Sequence, residues 1–154
     1  MSSIEIVSLP PQHYVGLRRD VPVTELPAFF GEALPATFAW LGEKGVAPAS
    51  PPIAVWRGMD KETGIADAHA GCFVAEPVDA DGAMEAGATE GGEALKFVHV
   101  GPYPGMGKSW MSVYAHAKEL GRETGAGWEV YVDDPATVPG EELRTEIYLP
   151  LLPE

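Results

Sequence analysis

Two short segments, PIAVW at residues 52–56 and GWEVY at residues 127–131, decide the fold of this chain. Each follows a helical pattern and a turn rich in Gly and Pro, and each has the β-branched and aromatic content typical of a strand. Internal repetition of this kind indicates two copies of one supersecondary unit. We therefore expect the same order of elements on both sides of the middle of the chain.

Each half contains one amphipathic helical segment. The first is predicted from Thr24 to Lys44, with Thr24 as N-cap, Gly45 as the stop and Pro35 as a kink or break. The second is predicted from Gly107 to Glu123 and ends in a stretch rich in Gly. Apolar residues three and four apart define the expected buried faces, which are Leu26, Phe30, Leu34, Phe38 and Leu41 in the first helix and Trp110, Val113, Tyr114, Ala117 and Leu120 in the second.

Six segments have the composition of strands, and Val78 to Glu93 reads as either an exposed connection or a weak edge strand. The six are His13–Arg18, Ile53–Arg57, Gly71–Ala75, Leu95–Val100, Trp128–Val132 and Thr145–Leu149. The order predicts one α+β domain over residues 1–154, built from two pseudo-symmetric βαββ repeats at about residues 5–78 and 94–152. We expect a mostly antiparallel sheet, two helices and a ligand groove between the halves.

Charge and composition exclude several classes of function. The 154 residues include 23 acidic and 10 basic side chains, for a net charge of −13. This balance argues against nucleic acid and anionic membranes as partners and mildly favours cationic ligands, although acidity also serves solubility. No segment has the apolar length of a membrane span, and the start lacks the features of a signal peptide.

The sequence predicts neither a metal site nor a bound cofactor. The four His residues lack metal-ligand spacing, and the chain has no phosphate-binding loop. Its one cysteine, Cys72, excludes an internal disulfide and lies in an apolar run, where packing is a commoner role than nucleophilic chemistry. We therefore expect a cytoplasmic protein.

Glu129 is the first candidate for a binding residue. It lies between Trp128 and Val130 in a predicted interior strand, and its counterpart in the first half is Ala54. An acid among aromatic rings holds a cation by charge while the rings add cation–π contacts. The alternative is that Glu129 and Tyr131 lie on the solvent face of an amphipathic strand.

Glu146 is the second candidate, and it shares a strand face with Tyr148 by alternation. The long turn before it leaves the register with the Glu129 strand open, and a solvent-facing position is the alternative. The aromatic candidates are Trp56, Tyr103, Trp110, Tyr131 and Tyr148, although for each of them core packing is a commoner role than lining a ligand site.

These residues resemble a known family. The run HVGPY at residues 99–103, then Trp110, WEVY at 128–131, Asp134-Pro135 and EIYLPL at 146–151 are similar to the gyrase-inhibitor-like (GyrI-like) small-molecule-binding family. The same domain serves as the effector-binding domain of AraC-type and MerR-type transcription regulators. The resemblance is strongest from Val98 to Leu151 and looser around residues 23–41 and 51–56.

The resemblance implies two strand-helix-strand-strand repeats and a groove that takes up amphipathic, often cationic, drugs and dyes. It places the family's pocket glutamate on Glu129. Other family members are hydrolases that open a cyclopropane in DNA-alkylating natural products, and others antagonise toxins of DNA gyrase. The first strand is expected about ten residues into the chain, with no helix-turn-helix segment before it, so we do not expect direct DNA binding.

Three functions remain open from the sequence. The first is a stand-alone binder of hydrophobic, cationic small molecules. The second is a cyclopropanoid hydrolase in which Glu129 acts as general base for a water and a tyrosine acts as acid. The third is a protein-interaction module that shields gyrase.

Overall fold

The computed structural model describes residues 4–60 and 62–153, except for the side chain of Met59. The chain divides into two compact units. One unit comprises residues 11–90, and the other comprises residues 91–153 together with 4–10. Within the described residues, no helix is long and apolar enough to cross a membrane.

The unit of residues 11–90 is a four-stranded antiparallel sheet with one helix. Its elements are β2 (His13–Pro22), α1 (Leu26–Lys44), β3 (Pro48–Asp60), β4 (Ile65–Val74) and β5 (Glu85–Ala88). The strands lie side by side in the order β3-β4-β2-β5. The helix packs on one face of this sheet, where Leu17, Phe29, Ala33 and Ala70 belong to one buried cluster.

The other unit repeats this arrangement. Its elements are β1 (Glu5–Leu9), β6 (Gly92–Val100), α2 (Met106–Glu119), β7 (Gly127–Tyr131) and β8 (Arg144–Pro150). The strands lie in the order β7-β8-β6-β1, again antiparallel, so β1 takes the place that β5 has in the first repeat. The predicted α+β fold of two βαββ repeats is confirmed.

The strand register aligns the two repeats residue by residue. In one, Ala54 of β3 pairs with Ala70 of β4. In the other, Glu129 of β7 pairs with Ile147 of β8. Ala54 lies ten residues after Lys44, the last residue of α1, and Glu129 lies ten residues after Glu119, the last residue of α2, so the two are equivalent positions, as the sequence comparison predicted.

Helix α1 differs from its prediction in three respects. A 3-10 turn covers Val23–Glu25, so the α-helix begins at Leu26 and Thr24 is not its N-cap. Pro35 does not split the helix, which continues to Lys44. The fully buried positions are Phe29, Ala33, Thr37, Trp40 and Leu41, whereas the predicted Leu26, Phe30, Leu34 and Phe38 are half-buried at the flanks.

Helix α2 is shorter than predicted because it ends at Glu119, and Gly121 follows with a φ of 69°. Its buried residues are Met106, Val113 and Ala117. Tyr114 and Leu120 were expected in the apolar stripe but are 49% and 41% exposed. The stripe is therefore narrower than the sequence pattern suggested.

All six predicted strands are present, and the described residues contain two further short strands. The first of these, β1, begins at Glu5, so the expectation of a first strand about ten residues in was wrong. The second, β5, is the edge strand that one reading of residues 78–93 allowed. Both strands lie at sheet edges, where the pattern of one buried face is weakest.

Candidate ligand-binding site

Glu129 is a buried carboxylate on the helix-covered face of β7. Its side chain is 5% exposed, and its cross-strand partner Ile147 is fully buried. Alternation along the strand places Gly127 and Tyr131 on the same face. The alternative of a solvent-facing Glu129 is therefore wrong.

Both carboxylate oxygens of Glu129 accept hydrogen bonds from aromatic side chains. The Trp110 indole N–H of α2 donates to Oε2 at 2.6 Å. The Tyr131 hydroxyl donates to Oε1 at 2.7 Å. Both donors are neutral groups, and each fills an acceptor site on a different oxygen atom of the carboxylate.

Gly127 provides the space that Trp110 occupies. A Cβ atom at residue 127 would lie 2.6 Å from Cη2 of the Trp110 ring. Any side chain at this position would push the indole away from the strand. The small residue at the start of β7 therefore lets the ring of Trp110 lie across the strand next to Glu129.

Tyr103 extends this aromatic cluster toward solvent. It lies in a 3-10 turn before α2, is 38% exposed, and meets the Tyr131 ring edge-on at 5.8 Å between centroids. Burial raises the pKa of Tyr131 well above its ordinary value, and the charge of Glu129 raises it further. Burial also raises the pKa of Tyr103, helped by the charges of Asp134 and Glu129. Both phenols therefore remain protonated at neutral pH.

The structure places Glu146 and Tyr148 on the opposite face of the sheet from Glu129. The Tyr148 hydroxyl donates to Glu146 at 2.9 Å, and its ring stacks on Trp128 at 5.4 Å. Lys96 lies 3.7 Å from the Glu146 carboxylate. Burial raises the pKa of Tyr148, and the hydrogen bond to Glu146 and its negative charge raise this pKa further.

The register between β7 and β8 separates the two acids. Glu129 pairs with Ile147, and Glu146 pairs with Val130, so the carboxylates do not stand opposite each other. Like-charge repulsion between directly opposed carboxylates therefore does not arise between these two residues.

Trp56 belongs to the unit of residues 11–90. Its ring is half-buried and meets Phe30 of α1 edge-on at 6.0 Å. Its indole N–H is buried, and within the described part of the chain it has no hydrogen-bond acceptor. Trp56 stays a predicted ligand residue.

Sequence reasoning missed Gly127 as the residue that makes room for the Trp110 ring, because it treated this glycine as the first residue of a strand and as part of the Gly-rich end of the helix. The run HVGPYPG at residues 99–105 carried a signal for a tight turn before Trp110, because Gly and Pro residues favour turns.

Cys72 and the potential metal ligands of the described residues do not form a second candidate site. Cys72 is fully buried, and burial raises the pKa of its thiol to about 11, which suits the packing role expected of it. Among the described residues, no three His, Cys, Asp or Glu side chains are grouped as metal ligands.

Comparison with known proteins gives a family and a shared fold. The family model for the GyrI-like small molecule binding domain matches residues 2–152. Comparison with curated proteins finds no significant match.

Three solved structures illustrate the shared fold. EcmrR in complex with DNA has a TM-score of 0.79 and 16% identity, over 98% of this chain and 57% of EcmrR. A hydrolase from Listeria innocua has a TM-score of 0.60 and 15% identity, over 97% of this chain and 92% of that one. SAV2435 bound to tetraphenylphosphonium has a TM-score of 0.67 and 12% identity, over 97% of this chain and 94% of SAV2435. This chain thus spans little more than half the length of EcmrR.

Proposed function

We propose, from the premise that this chain belongs to the GyrI-like small-molecule-binding family, that it binds amphipathic organic cations and that Glu129 is the anionic contact. The observation that carries the proposal is a carboxylate 5% exposed to solvent and surrounded by aromatic side chains. A carboxylate that is shielded from water attracts a cationic ligand strongly, because little solvent screens its charge. The aromatic side chains around it add apolar contact surface for the same ligand.

The aromatic neighbours determine the class of cation. Trp110, Tyr131 and Tyr103 present ring surfaces next to the acid. Rings attract cations through their quadrupole and bury apolar surface at the same time. A lipophilic cation with delocalised charge and aromatic groups suits this combination better than a small hydrophilic ammonium ion.

One structural neighbour supports this class of ligand. SAV2435 was solved with tetraphenylphosphonium, which is a lipophilic cation without hydrogen-bond donors. Such a ligand can be held only by charge and by apolar and aromatic contact. Tetraphenylphosphonium is therefore the first probe for this chain.

The test compares Glu129→Gln with Glu146→Gln by calorimetry. Glu129→Gln keeps the shape of the side chain and removes its charge, so tetraphenylphosphonium should bind more weakly by roughly 1.5–3 kcal/mol, the attraction of two unit charges about 6–11 Å apart at an effective dielectric constant of about 20. Glu146→Gln is the matched control on the other face of the sheet and should change the affinity much less. Uncharged triphenylphosphine oxide should bind both variants and the unmodified protein similarly.

Unchanged affinity for tetraphenylphosphonium in Glu129→Gln would contradict the proposal. A thermal-shift screen is a suitable first step. A ligand at a hundredfold its Kd should add roughly 2.7 kcal/mol to the free energy of unfolding.

Hydrolysis of a cyclopropane-containing natural product is the second candidate. The Tyr131 hydroxyl contacts the Glu129 carboxylate at 2.7 Å, so a general base and a proton donor are adjacent. In this case Glu129→Gln should leave substrate binding intact and reduce turnover by about 10²–10⁴-fold. The gyrase partner stays a prediction of the sequence resemblance.

A further inference from the structure

His99 joins three segments of the unit that carries Glu129. It lies next to the end of β6 and is 8% exposed. Its Nδ1 lies 2.7 Å from the Ser109 hydroxyl oxygen in α2. Its Nε2 lies 3.1 Å from the Pro102 carbonyl oxygen in the turn before α2.

The hydrogen-bond partners determine the tautomer of the neutral ring. A carbonyl oxygen only accepts, so Nε2 carries the proton and donates to Pro102. Nδ1 is then the acceptor for the Ser109 hydroxyl. The Pro102 carbonyl also accepts the Gly105 N–H at 3.1 Å, which closes the turn.

Two glycines adapt the turn to this imidazole. Gly101 has a φ of 129°, a backbone conformation that side chains disfavour. A Cβ at residue 105 would lie 3.2 Å from Cε1 of His99, closer than an ordinary contact. The backbone of residues 101–105 therefore wraps closely around the ring.

Each partner of His99 immediately precedes an aromatic residue of the candidate site. Tyr103 follows Pro102 and packs against Tyr131. Trp110 follows Ser109 and donates to Glu129. The two nitrogen atoms of one ring thus fix the backbone next to both aromatic residues.

We propose that His99 is a positioning residue that places Trp110 and Tyr103 around the Glu129 carboxylate by holding Ser109 with one ring nitrogen and Pro102 with the other. The effect on ligand affinity rests on the proposed binding function. The effect on the position of Trp110 does not, so the two can be tested separately.

The first experiment needs no ligand and follows the indole N–H signals in a ¹H–¹⁵N NMR spectrum. The Trp110 signal is assigned by its loss in Trp110→Phe. In Ser109→Ala and in His99→Gln, which lacks an amide group at the Nδ1 position, this signal should shift or broaden. In His99→Asn, whose amide lies near the Nδ1 position, it should stay close to that of the unmodified protein.

Two controls separate positioning from general disturbance. Ser112→Ala removes a hydroxyl of the same helix that donates to the Lys108 carbonyl at 3.2 Å, one turn away, so the Trp110 signal should not move. The Trp40 signal reports on the other unit, where this indole donates to Asp81 at 2.8 Å, and should stay constant in every variant.

The second experiment measures tetraphenylphosphonium affinity in the same variants. Ser109→Ala and His99→Gln should bind about tenfold more weakly, because a loosened supporting shell misplaces the contact groups. Ser112→Ala should bind like the unmodified protein.

The results distinguish the two proposals. An unmoved Trp110 signal in both Ser109→Ala and His99→Gln would overturn the positioning role, whatever the ligand does. A moved signal in a protein that binds no cation would support the positioning role and overturn the proposed function instead. If substitutions at His99 prevent folding, Ser109→Ala against Ser112→Ala decides the question alone.

Discussion

Glu129 and Ala54 occupy the same register position in the two repeats, yet only one of them carries a charge. Burying a carboxylate costs several kcal/mol unless hydrogen bonds replace its water. Trp110 and Tyr131 supply two such bonds. Ala54 is fully buried and needs none. The two equivalent positions therefore differ in whether a buried charge must be stabilised by hydrogen bonds.

His69 is a second buried ionisable residue, and it makes stability depend on pH. It is 1% exposed and contacts the Tyr14 ring edge-on at 4.8 Å. Burial lowers the pKa of His69, and the positive charge of Arg57 lowers it further. Above the ordinary histidine pKa of about 6.5, both folded and unfolded chains hold this ring neutral. Below it, only the unfolded chain takes up the proton, so stability falls as pH falls.

Urea unfolding of the unmodified protein and of His69→Phe between pH 7 and pH 5 tests this dependence, because it gives the free energy of unfolding at each pH. The phenyl ring keeps the edge contact with Tyr14 and cannot titrate. The free energy of unfolding should decline toward pH 5 less steeply in His69→Phe, by at most about 1.4 kcal/mol per pH unit. Parallel curves would show that His69 does not titrate in this window. The other three His residues are common to both proteins and cancel in the comparison.

At the scale of elements, α1 shows why an apolar pattern locates a helix better than it orients one. Phe30 and Leu34 matched the pattern, but Ala33 and Thr37 are the fully buried residues. Small side chains allow the helix axis to approach the sheet, and larger ones then flank the contact. Thr37 tolerates burial because its hydroxyl donates to the Ala33 carbonyl at 2.8 Å, which no apolar scale records.

The end of α1 yields a paired prediction at two glycines. Gly42 lies inside the helix, and an added Cβ would meet nothing within 4 Å. Gly45 ends it with a φ of 70°. Gly42→Ala should therefore raise the free energy of unfolding by about 0.5–1 kcal/mol through helix propensity. Gly45→Ala should lower it by about 1 kcal/mol through left-handed strain. Chemical unfolding measures both, and two changes of the same sign would contradict the assigned helix end.

Strand β5 shows what a local pattern cannot reveal. Its sequence, EAGA at residues 85–88, has little β propensity. Gly87 pairs with Tyr14, and a Cβ at residue 87 would lie 2.6 Å from the Tyr14 hydroxyl oxygen. Residue 87 must be small because the Tyr14 ring lies over it, and that long-range constraint cannot be read from the segment itself.

At the scale of the whole molecule, the repeated order of elements was sufficient to predict the fold, but the site was only partly predictable. Strand position and family resemblance pointed to Glu129 as the candidate acid. The predicted second helix contains Trp110, which hydrogen-bonds to this acid in the structure. Tyr148 and Glu146 lie on the opposite sheet face because register decides which face each residue takes. That register depends on the long turn after β7, whose pairing the sequence does not encode locally.

That duplex DNA is not a ligand stays a prediction, and the placement of the basic residues bears on how to test it. Six of the ten basic residues of the sequence form ion pairs with carboxylates in the described part of the chain. They are Arg18, Arg19, Lys44, Lys96, Arg122 and Arg144. Phosphate contacts need clustered basic groups, and these groups are already engaged.

The same net charge predicts how cations reach the protein. A molecule of charge −13 attracts cations over a distance set by the Debye length, which falls from about 30 Å at 0.01 M salt to about 8 Å at 0.15 M. In stopped-flow fluorescence, the association rate constant of tetraphenylphosphonium should therefore fall over this range, and that of triphenylphosphine oxide should not. Glu129→Gln changes the net charge only from −13 to −12, so it should keep the salt dependence of association while dissociation becomes faster. A salt-independent association rate in the unmodified protein would show that the field of the whole molecule does not steer the ligand, and that local contact at Glu129 alone governs binding.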